Sequence, residues 1–467
     1  MRKTKIVATL GPATDSPEMI GQLVDAGVNI FRLNMSHAAH DWVRRVVADI
    51  REAAKAREIS VGVLMDTQGP SIRTGDVPVA LNLQRGQKFT FTVRGEKSEE
   101  EHSVDVNYDN LVNDIHVGDV VLVDNGEIEM RVLSKTANRI ECEVLTPGQL
   151  KSRRHINLPG VRVSLPALTA KDLQDIALGL ELEVDYIALS FVREAKDLRQ
   201  LRAVIQHAKQ RPQIIAKLED QQAIKNLKEI IQETDGIMVA RGDLGIEVPY
   251  EELPIIQRRA VKYCLRLGKP VIVATHMLES MINTPIPTRA EVTDVANAVY
   301  EQADAIMLSG ETTVGKYPLK CLEVFNRVAK RIEKSGGANF QENAELTNAE
   351  QRMIKSGVVM ADELRADAIL VLTLSGTSAR YTSWMRPRHS PIFAICNTKR
   401  VADSLTLNWG VTPFVLTFDE VNRERTISRS ISLLLQRGAL KPGNTVVVIS
   451  SIEVDGHYVR AVQMRQV

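Results

Sequence analysis

The chain is predicted to fold as an α/β protein: a (β/α)8 TIM barrel, an all-β domain inserted after barrel strand three, and a C-terminal α/β domain. Three observations carry this reading. Short apolar runs alternate with helical pattern, which is the rhythm of a parallel sheet wrapped by helices. Three such runs precede, and five follow, a stretch of short alternating strands, giving the eight strands that close a barrel. Four of the later runs drive directly into charged or hydroxyl residues, so their polar groups gather at one end of a sheet buried on both faces.

In chain order, residues 5–10, 28–35 and 61–65 read as the first three strands, with a helix over 42–57. After Asp66-Thr67-Gln68-Gly69-Pro70 the rhythm breaks. Stretches 88–93, 120–123, 128–132 and 140–144, parted by turns such as Val117-Gly118-Asp119 and Asp124-Asn125-Gly126, form the all-β insert. The β/α pattern resumes near Leu165, where Thr169 and Asp172 make a capping box with Asp in place of the usual Glu. A strand over 185–191 follows, then strands ending at Glu219, Arg241, Thr275 and Ser309. A polar, Gly-bearing linker over 334–347 leads to further strands at 368–374, 391–396, 412–416, 445–450 and about 459–464. The expected division is 1–70 with 167–340 for the barrel, 71–166 for the insert, and 348–467 for the last domain.

Composition narrows the function. A net charge of +1, from 59 basic and 58 acidic residues, provides no field to draw nucleic acid or an anionic membrane. Four cysteines without a CxxC pair fit buried thiols in a reducing cytosol rather than disulfides or a zinc site. The apolar stretch after Met1-Arg2-Lys3-Thr4-Lys5 is too short for a signal-peptide core, and no window approaches a membrane span, so a soluble cytoplasmic protein is expected.

The strand ends together supply carboxylates Glu219 and Asp243, cations Lys217, Arg32 and Arg73, hydroxyls Thr275, Ser309 and Ser36, and the acids Asp66 and Glu311. Two carboxylates beside three cations suit a phosphorylated substrate held through Mg2+ or Mn2+, because a hard dication takes a few carboxylate oxygens and substrate oxygens. The plainer reading, that Lys217 and Glu219 merely pair at the rim, has to account for five strands ending alike. Gly310-Glu311-Thr312-Thr313-Val314-Gly315-Lys316 imitates a phosphate loop, but Tyr317 stands where the magnesium-holding hydroxyl belongs and Pro318 interrupts the helix start.

Several long segments in order, Phe31-Arg32-Leu33-Asn34-Met35-Ser36-His37, Met65-Asp66-Thr67-Gln68-Gly69-Pro70, Ala216-Lys217-Leu218-Glu219, Met238 to Gly245 and Pro287 to Val299, resemble the pyruvate kinase family. That resemblance implies transfer of a phosphoryl group from phosphoenolpyruvate to ADP, giving ATP and an enolate that is protonated to pyruvate. It implies that the insert is a lid over the nucleotide. Lys217 would neutralise the moving phosphoryl group and the enolate oxygen, Glu219 and Asp243 would hold the divalent ion, and the main chain of Ala240, Arg241 and Gly242 would meet the substrate carboxylate. Arg32, Arg73 and Lys171 would clamp phosphates, with Asn34 and His37 on the nucleotide side. Thr275 would position a water chain for proton delivery, with Ser309 and Glu311 on the same path. For Thr275 and Ser309 the alternative is simple capping of the helices that follow.

Asn34, Ser36, Asp66 and the Thr67 carbonyl resemble a K+ site. Ser71 departs from it: many members carry Glu there, and those that work without potassium tend to carry Lys. Gln68 replaces a frequent Lys, His276 stands where Gln is common, with an ordinary packed side chain as its default, and Ala38 follows His37 where Gly is usual. In the last domain Thr373, Ser375, Gly376, Thr377 and Ser378 follow a strand and open a helix, resembling a pocket for an allosteric sugar phosphate; the alternative is a plain turn with hydroxyl caps. The opposing loop, from Ser450 to Tyr458, brings Glu453 and Asp455 instead of basic residues, which points to a monophosphate or nucleotide effector. The family likeness also implies a homotetramer. Two competing functions are another magnesium-dependent barrel enzyme of phosphoenolpyruvate or pyruvate, such as a mutase or aldolase, and a catalytically silent metabolite sensor.

Overall fold

A computed structural model describes residues 1–96, 102–419, 422–454 and 457–467, with the side chains of 451–458 outside the description. Eight parallel strands close a barrel in strict chain order: Lys5–Thr9, Ile30–Asn34, Gly62–Asp66, Tyr186–Leu189, Gln213–Leu218, Gly236–Ala240, Val271–Ala274 and Ala305–Leu308, the last returning to pair with the first. Each expected barrel strand forms, most of them shorter by a residue or more at their ends, while the third, expected over 61–65, runs over Gly62–Asp66. Nearly every strand residue is buried, and alternate ones such as Val7, Ile30, Leu64, Ile215, Met238 and Ile272 fill the interior. The others pack outward against the helices. The helix over His40–Ala56 and the Thr169–Asp172 capping box both form as expected.

Between the third and fourth barrel strands lie a six-stranded sheet and a two-stranded ribbon around a separate apolar core that includes Phe89, Phe91 and Met130. The C-terminal sheet has five strands, four of them parallel. Where a loop was expected after Ser450, the chain continues as strand over Thr445–Val454, paired antiparallel with His457–Gln466. Asp455 and the side chain of Glu453, the acids named there, lie outside the described residues. All four cysteines are buried and free, and burial pushes each thiol's pKa up. Among the described residues no helix is long and apolar enough to cross a membrane.

The C-terminal domain plugs the barrel floor. Leu407 joins the barrel's interior core, and the Tyr186 hydroxyl donates to the Ser404 carbonyl at 3.0 Å. Gly62 has no room for a side chain, because a Cβ there would stand 2.5 Å from Thr406 Oγ1. At the edge of this plug Asp185 is buried, accepts from Arg51 at 3.0 Å and from the Val63 amide at 2.8 Å, and burial pushes its pKa up to about 6 against the help of Arg51. A carboxyl that holds its proton more tightly when folded favours the folded state below pH 4 and loses that contribution as pH rises through about 6. Urea titrations should therefore find wild type losing ground to Asp185→Asn between pH 4 and 6, on the order of 1–3 kcal/mol in total. Parallel profiles for the two proteins would show that Asp185 titrates normally.

Candidate active site

The C-terminal ends of strands two to five bring one charged cluster together. Lys217 Nζ lies 2.7 Å from Glu219 Oε1 and 3.1 Å from Asp66 Oδ1, and donates to Ser190 Oγ at 2.8 Å. All three ammonium protons are thus aimed. Arg32 Nε donates to the other Asp66 oxygen at 2.6 Å, while its Nη1 reaches Thr9 Oγ1 at 3.2 Å. Glu219 Oε2 accepts the Phe191 amide at 2.6 Å. The Asp66 and Glu219 side chains are each 1 % exposed, so their charges feel little water.

Burial and charge pull these groups in opposite directions. Burial favours neutral Asp66, but Lys217 and Arg32 beside it hold its pKa below the usual carboxylate range. Burial likewise opposes the Lys217 ammonium, yet Asp66 and Glu219 outweigh it and hold the group firmly charged. Burial pushes the Glu219 carboxyl up, and although Lys217 opposes the shift, the nearby charges of Asp243 and Asp66 add to it. Three carboxylates face two cations, so the pocket lacks positive charge.

Asp243 opens the short helix Arg241–Glu247, with its carboxylate partly exposed on the same side as Lys217 and Glu219. Ala240 holds the position before that helix. The Gly242 amide donates to Thr275 Oγ1 at 2.7 Å, so Thr275 ties strand seven to the helix after strand six rather than capping the helix that follows it. Thr275 and His276 both sit at positive φ, +66° and +52°. The bend is held by Arg241, whose guanidinium turns away from the pocket to donate to the Thr275 carbonyl and to Asp294 Oδ1, each at 2.6 Å. The His276 ring is 57 % exposed rather than packed.

Other expected residues stand apart from the cluster. Glu311 accepts the Ser309 amide at 2.7 Å and the Leu278 amide at 3.0 Å, so both carboxylate oxygens brace loops. Ser309 Oγ is buried without a hydrogen-bond partner among the described residues, and it does not cap the helical turn over Gly310–Thr313. That turn closes on itself, with the Gly315 amide on the Gly310 carbonyl, so the imitation phosphate loop opens no cradle. Lys171 is tied to Asp175 Oδ2 at 2.6 Å and the Met35 carbonyl at 2.7 Å. Arg73 reaches Ser71 Oγ at 3.2 Å and the Arg153 carbonyl at 3.1 Å, inside the insert's hinge. His37 is exposed near Asn34, whose Oδ1 accepts the Ser36 amide. The Thr373 to Ser378 turn belongs to the C-terminal domain.

Sequence reading missed Ser190. Its hydroxyl accepts from Lys217 and donates to the Thr67 carbonyl at 2.7 Å, fixing the ammonium from a third side. The available signal was the fourth strand running into a hydroxyl, as the other strands run into polar groups. Ser190→Ala should lower kcat about tenfold with the substrate KM little changed, the cost of one hydrogen bond to a charged group. Steady-state kinetics with unaltered kcat would remove Ser190 from the machinery.

A family model for the pyruvate kinase barrel domain matches residues 1–322, and one for the pyruvate kinase alpha/beta domain matches residues 351–458. Pyruvate kinase isozyme G, chloroplastic, of Nicotiana tabacum is 43% identical over 455 residues, covering 96% of this chain and 80% of the relative. The pyruvate kinase of Staphylococcus aureus strain MRSA252 is 37% identical over 464 residues, covering 97% and 78%. The crystal structure of a pyruvate kinase from Cryptosporidium parvum superposes with a TM-score of 0.93 at 34% identity, covering 100% of this chain and 96% of that one. The chain therefore belongs to the pyruvate kinase family, metal-dependent enzymes that move the phosphoryl group of phosphoenolpyruvate onto ADP to give ATP and pyruvate.

Proposed function

We propose that Lys217 is the group that stabilises the phosphoryl group in flight and the enolate oxygen it leaves behind. The observation carrying this reading is the ammonium held between Asp66, Glu219 and Ser190 at the mouth of the barrel. A compact cation fixed from three sides needs little reorganisation when negative charge develops beside it. Arg32, anchored on Asp66, presents the rest of its guanidinium to phosphate oxygens. The Arg241 amide opens a helix and suits the substrate carboxylate, the Gly242 amide being engaged by Thr275 Oγ1 at 2.7 Å, while the Arg241 side chain shapes the Thr275 bend instead of binding substrate. Thr275 positions the last water of a proton path, and Ser309, with its unpartnered hydroxyl, lies on that path; Glu311 positions Ser309 through the backbone. Arg73 and Asn34 serve the nucleotide together with His37, and Lys171 contributes once it leaves Asp175.

The donor set fits a hard dication. Glu219 and Asp243 supply carboxylate oxygens, and a pocket with three carboxylates and two cations binds a polyanion only if further positive charge is added. Mg2+ or Mn2+ on these two carboxylates would supply that charge and polarise substrate oxygens. The K+ residues fit less well: both Asp66 oxygens are engaged, the Thr67 carbonyl takes the Ser190 hydroxyl, and Asn34 takes the Ser36 amide.

The strands support a barrel of 1–70 and 167–340, a lid of 71–166 and a regulatory domain of 348–467. In that last domain the turn from Thr373 to Ser378 offers a phosphate of an allosteric effector the hydroxyls of Ser375 and Thr377, which bond each other at 2.9 Å; Gly376 takes a left-handed φ, Thr373 accepts its amide, and Ser378 is held by Glu350. A cytoplasmic homotetramer completes the reading, testable by light scattering and cell fractionation. The deciding experiment for the site is a lactate dehydrogenase-coupled assay with phosphoenolpyruvate and ADP, run with Mg2+, with Mn2+, after chelation, and with and without K+. Pyruvate formation that requires ADP and a divalent ion, and falls in Glu219→Gln and Asp243→Asn, is expected. Full rates in both variants would overturn the assignment of these ligands, and pyruvate formation without ADP would favour a mutase or aldolase.

A further inference from the structure

The insert leaves the barrel along residues 69–74 and returns along 153–157, and these two crossings pair antiparallel. The Thr74 amide donates to the Arg154 carbonyl and the Ile156 amide to the Ile72 carbonyl, each at 2.9 Å, with His155 opposite Arg73. The His155 carbonyl accepts the Asp124 amide at 3.0 Å, which fastens His155 to the body of the insert. Whatever shifts the insert shifts His155 with it.

One barrel residue touches both crossings. Phe191 follows Ser190 beyond the fourth strand and takes a left-handed φ of +53°, a strained backbone for a residue with a bulky side chain. Its ring lies so close to Gly69 that a Cβ there would stand 2.9 Å from Phe191 Cδ2. The same ring meets that of His155, with centroids 6.1 Å apart and planes tilted by 46°. The strained backbone has a use: the Phe191 amide donates to Glu219 Oε2 at 2.6 Å, while the Ser190 hydroxyl beside it receives Lys217 at 2.8 Å. Glu219 Oε1 faces Lys217, so the amide on Oε2 fixes the rotation of the carboxylate. A cavity of about 340 Å3 borders both rings and leaves room for them to slide when the insert moves.

We propose that His155 is a positioning residue for the divalent ion: its ring holds Phe191 in the conformation that aims the Phe191 amide at Glu219, so that dication affinity depends on how the insert is seated. The inference rests on Glu219 and Asp243 being the ligands of that ion. Outer hydrogen-bond partners of a metal ligand set its orientation, and their loss costs roughly ten- to hundredfold in affinity. His155 acts by filling space against an apolar ring, so a phenyl ring in its place does the same work, and the adjoining cavity accommodates the larger side chain.

Electron paramagnetic resonance titration of the full chain with Mn2+, without nucleotide, tests this. Glu219→Gln is expected to remove most of the binding, His155→Ala to weaken it roughly ten- to hundredfold, and His155→Phe to restore it to within about threefold of wild type. In a Phe191→Leu background His155→Ala should weaken binding no further, because the two side chains act as one unit. Hydrogen exchange reads the reverse direction: Mn2+ should slow exchange in the two crossings of wild type and slow it less in His155→Ala. His155→Phe keeps the test decisive should His155→Ala lower the melting temperature. If His155→Ala binds Mn2+ like wild type while Glu219→Gln does not, the proposal is overturned and the ligand assignment stands. A His155→Phe variant as weak as His155→Ala also overturns it, since the imidazole nitrogens would then carry the effect, and so do additive losses in the double variant. Equal slowing by Mn2+ in wild type and His155→Ala overturns the link to the insert. Undiminished binding in Glu219→Gln overturns the ligand assignment and the proposal together.

Discussion

Lys217→Met is expected to reduce kcat for pyruvate formation by about 10³-fold or more, with a smaller change in KM for phosphoenolpyruvate. The side chain keeps its length and apolar stem, so what is lost is a fixed positive charge where the phosphoryl group departs. The substitution also strips Asp66 and Glu219 of their shared cation, 3.1 and 2.7 Å away. Burial already raises the Glu219 carboxyl and loss of the Lys217 cation raises it further, which limits the damage to the fold because a neutral carboxyl tolerates burial. Arg32 still neutralises Asp66. Stopped-flow quench measurements of phosphoryl transfer, beside a thermal melt, separate the two effects. A variant that melts like wild type and turns over at near-normal rate would mean that Lys217 is a structural ion-pair partner and that catalysis is organised elsewhere.

The barrel was legible because its physics is local. A strand buried on both faces has to be apolar throughout and has to stop at the rim, and each of the runs ending at Glu219, Arg241, Thr275 and Ser309 announces both facts within a few residues. The insert was legible through alternation and turns. Lys217, Glu219 and Asp66 were legible as strand-end charges, and the structure joins them. Direction was not legible. Arg241 ends a strand as Lys217 nearly does, yet its guanidinium runs sideways to Asp294 and the Thr275 carbonyl, a choice made by where those groups lie in space. Glu311, read on the proton path, and Lys171, read as a phosphate clamp, are engaged by loop amides and by Asp175. For Lys171 the signal was present, since Asp175 lies one helical turn on. Ser190 was missed although its strand, like the others, runs into a polar group, because a single hydroxyl does not announce which ammonium it meets in space. The plug formed by Leu407 depends on two segments far apart in the chain meeting at the barrel floor, which no periodicity records.

That plug carries the second large effect. Arg386 and Asp304 are 2.7 Å apart and each only 2 % exposed, at the junction of the barrel with the C-terminal domain. Asp304 also accepts the Val271 amide at 3.1 Å and the Trp409 amide at 3.2 Å, and the Arg386 guanidinium lies 5.1 Å from the Trp409 ring centre. One carboxylate thus gathers the bases of barrel strands seven and eight and the start of a C-terminal strand. Replacing Arg386 by Met leaves it buried without its cation, a loss of about 3–5 kcal/mol. The charge, not the missing contact, is the larger part of that loss, because an orphaned carboxylate cannot regain water where it sits. Adding Asp304→Asn to Arg386→Met should therefore restore a substantial share of the stability: the amide oxygen still accepts from Val271 or Trp409 and carries no charge. Urea unfolding followed by tryptophan fluorescence, with Trp384 and Trp409 both at this junction, reads the interface directly. If the double variant proved less stable than Arg386→Met alone, the hydrogen bonds of Asp304 would outweigh its burial cost, and the junction would be held by its amide contacts rather than by the ion pair.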